Sequence, residues 1–197
     1  SYGWIFEAIN NFLLWQLMTL KNFLILAPWP LVVLGVAAIA YFASGRKIGT
    51  TVFVAVCTFF IGFLHPIFWT KAIETTSIML ISIFLCVTFG IPVGILMSRS
   101  EKVRDKILPV LDLMQTIPAF VYLIPGIMLF GLGAVPAIIA TFIYAVPPLV
   151  RLTDLGIRLV DKEVTEAADA FGADKKQKLF GVQLPLALPN IMQGINQ

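Results

Sequence analysis

Residues 75–98 read TTSIMLISIFLCVTFGIPVGILMS, 24 consecutive positions without a charged side chain. About 20 apolar residues cross the hydrocarbon core of a bilayer as a helix, so this stretch is long enough to span one. It lacks the alternation of polar and apolar positions that a half-wetted barrel strand needs, which leaves the helix as the form that pairs its backbone within lipid. Two further uncharged runs, 22–45 and 48–70, hold 24 and 23 residues, and a fourth, 113–150, holds 38. As one helix the fourth would extend about 57 Å, against a hydrocarbon thickness of about 30 Å, so it must fold back. The sequence GLGAVP at 131–136 supplies the turn. Glycine accepts positive φ there, and Pro136 suits the first turn of a new helix.

Composition agrees. Of 197 residues 59% are hydrophobic and only 13% charged, with a mean hydropathy of +0.93. A soluble domain carries roughly 25% charged residues, so there is too little charge here to wet a globule. The reading is an all-α membrane protein with five complete spans, at about 22–45, 48–70, 75–98, 113–131 and 134–151. The uncharged run 179–197 is read as the start of a sixth span, from 185 onward, cut by the chain end. Residues 1–21 form a weakly amphipathic external helix lying in the interface, with Ile5, Ile9, Phe12, Leu13, Gln16, Leu17 and Leu20 on its mostly apolar face. No basic residue precedes Lys21, so this is not a secretory leader. Cys57 and Cys86 fall inside predicted spans and are read as packing residues, not a disulfide.

Charge sets the orientation. Twelve of the 14 basic side chains fall in connectors 44–49, 99–112 and 151–178, and only Lys21 and Lys71 lie in the others. That bias places the first set in the cytoplasm and the N-terminus outside, as the positive-inside rule directs for a multi-pass protein. The sequence pI near 9.0 follows from it and does not point to nucleic acid.

One connector is unlike the rest. Residues 151–178 carry 12 charges in 28 positions, and the segment 152–184 is read as a functional cytoplasmic loop within the membrane domain 22–197. Asp161 can cap a helix running from Lys162 to Phe171, with Glu163 in its first turn, and Gly172 stands where a left-handed C-terminal cap belongs. A second amphipathic stretch starts at Asp174, and Pro185 opens the next apolar segment. Ala167 and Ala168 are small enough to let another surface approach their backbone.

Those residues carry a resemblance. Glu166-Ala167-Ala168, three residues, Gly172, nine residues, Val182, one residue, then Leu184-Pro185 resembles the EAA motif of ABC importer permeases. The family usually has isoleucine at the Val182 position. The sequences MQTIPAFVYLIP at 114–125, PPLVRL at 147–152 and 183–197 are similar to the glycine betaine/proline betaine permeases, the quaternary-amine importers. The resemblance implies a type I permease-like helical bundle that forms the translocation pathway for a quaternary-ammonium solute such as glycine betaine, proline betaine, choline or carnitine. It implies a coupling helix that docks on a separate cytoplasmic ATPase, with Glu166, Ala167, Ala168 and Gly172 at that contact, and Val182, Leu184 and Pro185 framing the return to the membrane. ATP and magnesium would be held by that ATPase, and no cofactor by this chain. An extracytoplasmic binding protein or fused domain would select the cargo with an aromatic cage. Five spans and a fraction per chain point to a homodimer around a shared pathway, surrounded by lipid.

Other residues admit two readings. His65 could relay protons, but a lone histidine without an acidic partner in a span fits a structural role better. Lys71 and Glu74 could guide a docking protein or form a solvated pair at a helix end. Phe120, Tyr122 and Tyr144 could line the pathway for a quaternary ammonium group, or simply be membrane aromatics. Pro118, Pro125, Pro147 and Pro148 could break helices around a gate, or mark tight packing of kinked ones. The chain contains no Gly-x-x-x-x-Gly-Lys-Ser/Thr, so it does not itself cradle nucleotide phosphates. A permease for another small solute such as an amino acid is the nearest competing function. An ion-coupled secondary transporter is opposed by the lack of acidic residues within the predicted spans, and an intramembrane enzyme by the lack of a catalytic constellation.

Overall fold

The computed structural model describes residues 3–197. Its chain divides into two compact units, Ser1–Ile81 and Ser82–Gln197. Among the described residues the regular structure is helical throughout.

The first unit holds α1 (Gly3–Leu26), α2 (Trp29–Ala43), α3 (Ile48–Leu64) and the first half of α4 (Pro66–Arg99). Its helix ends fall at prolines, not at charges. A residue preceding proline is driven out of the α region. Accordingly α1 runs straight through Lys21 and ends at Leu26, and a 101° bend at Ala27 and Pro28 separates it from α2. An interfacial helix 1–21 followed by an unbroken span 22–45 is therefore corrected. His65, before Pro66, is extended (φ −165°, ψ 141°) and ends α3, so the expected span 48–70 stops at Leu64. The exposed His65 caps the next helix, its Nδ1 accepting from the Ile67 amide at 3.2 Å. Lys71 and Glu74, read as a connector, instead form an exposed 3.0 Å ion pair on the continuous α4, which absorbs the expected span 75–98. Trp29 at the start of α2 packs so closely on Gly62 near the end of α3 that an added Cβ would lie 2.8 Å from its ring, so the two helices are antiparallel. Phe59 completes that contact, 5.6 Å from Trp29 and stacked on Phe63.

The second unit continues α4 and adds α5 (Glu101–Thr116), α6 (Ala119–Phe130), α7 (Ala134–Arg158), α8 (Lys162–Ala170), α9 (Lys175–Lys178), a π-helical turn (Leu179–Gln183) and α10 (Leu184–Ile195). The predicted hairpin is present: Gly131 (φ 78°) and Gly133 (φ 156°) turn the chain, and Pro136 lies in the first turn of α7. The expected span 113–131 is broken, since Ile117 and Pro118 bend α5 against α6 by 91°. The expected span 134–151 is too short, because α7 continues to Arg158 and takes up the start of the predicted loop. Asp154 consequently lies inside an apolar helix, against the expectation that no span holds an acid. By length and composition α4 and α7 can each cross a membrane alone, α1 with α2 and α5 with α6 qualify only as bent pairs, and α3 is shorter.

Helix α7 is the axis of this unit, with Val146, Leu149, Val150 and Ile157 buried beside Cys86 and Met97 of α4, Leu111 of α5, and Ala187 and Ile191 of α10. Cys86 and Cys57 are both free thiols, Cys86 buried and Cys57 exposed. Helix α4 runs parallel to α7 in a fixed register, Ser82 donating to the Ile138 carbonyl and Cys86 to that of Phe142, each pair 56 residues apart. Further along, Gly90 faces Val146 and Leu149, and Gly94 faces Val150 and Thr153. On another side α10 runs antiparallel, with Gly156 against Ala187 and Asn190, and Gly194 against Leu149 and Leu152. Small residues let backbones approach where lipid supplies no hydrophobic drive for association. A Cβ on Gly94 would stand 2.5 Å from the Thr153 Cβ and 2.8 Å from the Val150 carbonyl. Gly94→Val is therefore expected to cost about 1–3 kcal/mol through overpacking. Thermal unfolding in detergent reads this; a melting temperature equal to the wild type's would contradict the α4–α7 register.

Candidate coupling surface

The segment after α7 is built from local hydrogen bonds. Asp161 caps α8, its carboxylate accepting from the Glu163 amide at 2.9 Å. Phe171, expected as the last helical residue, is instead the C-cap. Gly172, at φ 78°, then closes the helix, its amide donating to Asp169 while that of Ala173 reaches back to Ala168. This pairing at a helix end needs a residue in the left-handed region, where a Cβ is strained. Asp174 and Gln177 cap α9 reciprocally. The π-helical turn follows and runs without a break into α10, since Lys178, Gln183 and Leu184 all keep right-handed helical angles. Pro185 therefore lies within a continuous helix and withholds an N–H next to the π turn.

The seven residues predicted for coupling separate into two groups. Glu166, Ala167 and Gly172 are exposed on α8 and its cap, with Ala168 half-buried beneath them. Val182 and Leu184 are half-buried and Pro185 exposed where the chain enters α10. Lys178 links the two groups through an ion pair to Asp169. Sequence reasoning missed the most exposed apolar group of the segment: the Phe171 side chain is 93% exposed, on the same surface segment as Val164 and Leu159.

Behind this surface lies a charge cluster that the sequence reading also missed. The Asp154 carboxylate, 5% exposed, accepts from Arg158 Nε at 2.7 Å and from Arg104 Nε at 3.0 Å. Glu101 pairs with both arginines, giving a neutral quartet from α5 and α7. Arg158 also donates to the Met97 carbonyl at 2.8 Å, placing a cation at the C-terminal end of α4, where the helix dipole favours one. Arg99, beside it, donates to the Lys175 carbonyl at 3.3 Å and so ties α4 to α9. The spacing of Asp154 and Arg158, one helical turn, was the available signal.

Of the predicted pathway aromatics, two meet and one does not. Phe120 and Tyr144 line an open, mainly apolar depression of about 230 Å³ with Leu123, Ala137, Ala140 and Thr141. Tyr122 points elsewhere, its hydroxyl donating to the Met114 carbonyl at 3.1 Å across the α5–α6 bend. Pro118 marks that bend, whereas Pro125, Pro147 and Pro148 lie within continuous helices. Prolines at 147 and 148 cannot donate to the carbonyls of Ile143 and Tyr144, which lose their usual intrahelical partners.

Residues 86–195, more than half of the chain, match the family described as the binding-protein-dependent transport system inner membrane component. The chain belongs to that family. This inner-membrane component is 40% identical over 193 residues to the glycine betaine/proline betaine transport system permease protein of Escherichia coli (strain K12), a match covering 98% of this chain and 53% of the relative. It is 40% identical over 197 residues to the glycine betaine transport system permease protein of Bacillus subtilis (strain 168), covering 100% of this chain and 68% of that one. A glycine betaine/carnitine transport permease protein of Listeria monocytogenes serotype 1/2a (strain 10403S) is 44% identical over 171 residues, 86% of this chain and 60% of the relative. The chain thus spans about half the length of the Escherichia coli relative. The resemblance read from 114–125 and 166–185 is borne out at the level of family.

Replacing Asp154 with alanine leaves Arg104 and Arg158 facing each other without their shared carboxylate. The expected loss is about 2–4 kcal/mol, read by unfolding of the detergent-solubilised protein. A loss no larger than that of an exposed substitution such as Asp105→Ala would show the quartet to be dispensable.

Proposed function

We propose that this chain is the membrane-spanning subunit of an ATP-driven importer for quaternary-ammonium compatible solutes, forming the translocation pathway and coupling it to a separate ATPase. One observation carries the reading: relatives that cover nearly the whole chain are named for transport of glycine betaine or proline betaine. Others are named for choline, carnitine or trimethylamine N-oxide. These solutes share a compact, methylated, positively polarised nitrogen, which an aromatic face attracts. Phe120 and Tyr144 are the residues of this chain suited to receive it in transit, with the proline-freed carbonyls of Ile143 and Tyr144 as nearby dipoles.

The finer architecture in this reading is a type I permease-like bundle whose five passes are α4, α7, the shorter α3 and the bent pairs α1–α2 and α5–α6, with α10 entering a sixth and the N-terminus outside. The parallel course of α4 and α7 and the antiparallel courses of α6 and α10 support alternating passes. Arg99, Arg158 and Lys175 gather at one end of this unit, which the positive-inside rule makes cytoplasmic. The partners are cytoplasmic ATPase subunits, which hold ATP and magnesium, an extracytoplasmic binding protein or fused domain, and a second permease copy. Glu166, Ala167, Ala168, Gly172 and Phe171 present the docking face; Val182, Leu184 and Pro185 transmit its displacement into α10. ATP-driven closure of the ATPases pushes the α8 surface, and the charge quartet passes that push to α7.

Uptake by the full-length assembly in vesicles is expected to require hydrolysable ATP and to persist when an ionophore collapses the ion gradients. Loss of uptake on adding ionophore with ATP held constant would favour a secondary transporter. Gly172→Val forces a β-branched residue into the left-handed region. It is expected to lower ATP-driven uptake at least about tenfold, the effect of a 1.4 kcal/mol strain on docking. Full uptake by that variant would contradict the placement of the coupling surface.

A further inference from the structure

At the end of α4, Arg99, Lys175, Lys178 and Gln183 line an open pocket of about 300 Å³. Its charge is lopsided. Lys178 is neutralised by Asp169, while the Asp174 carboxylate is occupied capping α9, and Glu101, two residues beyond Arg99, is engaged with Arg104 and Arg158. Arg99 reaches only a backbone carbonyl, so it and Lys175 bring net positive charge to the pocket, with the Gln183 carboxamide as a neutral donor. The family reading does not use this pocket.

A second observation identifies what fills it. Phe89, Pro92, Leu96 and Arg99 follow one another along a single face of α4 at spacings of three and four residues, and all four are exposed. An apolar stripe about two turns long therefore runs into a cationic pocket. A free anion would use the pocket and ignore the stripe; an anionic phospholipid uses both. Basic pockets beside membrane helices bind phosphate headgroups, and each basic side chain near the surface strengthens that binding appreciably.

We propose that this pocket is a binding site for the phosphate headgroup of an anionic phospholipid, with one acyl chain lying along Phe89, Pro92 and Leu96. The lipid bridges α4 and α9 at the base of the coupling segment. The site requires only that the chain is embedded in a membrane, whatever solute it carries.

The test uses the full-length protein in phosphatidylcholine vesicles holding a minority of spin-labelled phosphatidylglycerol, with the protein-restricted lipid measured by its spectrum. The wild type is expected to prefer phosphatidylglycerol over spin-labelled phosphatidylcholine. Lys175→Gln should reduce that preference about fivefold, the effect of one basic side chain, and adding Arg99→Gln should reduce it further. Lys175→Arg should retain it, and Lys106→Gln, on exposed α5 away from the pocket, should leave it unchanged. Lys175 lies exposed on a four-residue helix, so its single variant reads the site even if the double variant fails to fold. Equal losses for Lys106→Gln and Lys175→Gln would overturn the site in favour of diffuse surface charge. Displacement of the lipid by millimolar inorganic phosphate at constant ionic strength would overturn the lipid assignment.

Discussion

A carboxylate buried in an apolar helix must be compensated, and Asp154 sets that condition for the second unit. An isolated ionised carboxylate in such a place costs several kcal/mol, so partners must be delivered to it within hydrogen-bonding distance. Arg158 comes from the same helix one turn later. Arg104 comes from α5, and Glu101 restores neutrality. The end of α4 is drawn in because Arg158 has a donor left over for the Met97 carbonyl. Three helices are thereby fixed at one point.

The remainder of that unit follows from how closely α4 and α10 can approach α7. Glycines at 90, 94, 156 and 194 remove the side chains that would hold the backbones apart, and the buried Leu149 and Val150 fill the space between them. Close packing of this kind has one register, because sliding by a residue would put side chains where only hydrogens fit. Helices α4, α7 and α10 therefore pack as one block. In the outer segment the cap at Gly172 closes α8, and the ion pair between Lys178 and Asp169 ties it to α9.

Much of this was legible in the sequence, unevenly. The glycine hairpin at 131–133, the Asp161 cap and the Gly172 cap were readable because each rests on local backbone chemistry. Charge-free runs located the apolar helices but misplaced their ends. Lys71 and Glu74 looked like a connector, yet a pair three residues apart stabilises a helix as readily as it marks a loop. Pro28, Pro66 and Pro118 gave the true breaks, through their effect on Ala27, His65 and Ile117. The four-residue spacing of Gly90 and Gly94 went unread, and nothing local says that Thr153 fills the gap. Likewise Asp154 and Arg158 share a turn, whereas Arg104 lies 50 residues away and only folding brings it near. Phe171 passed unnoticed because its exposure depends on where α8 stops.

The central claim is that Asp154 and the arginines act as one unit in holding the helix ends together. A double-mutant cycle of Asp154→Asn and Arg158→Gln, read by equilibrium unfolding of the full-length protein in micelles, tests it most directly. The account predicts a coupling energy above about 1 kcal/mol, as for groups in one hydrogen-bonded ion-pair network. Additivity of the two substitutions to within about 0.3 kcal/mol would contradict it.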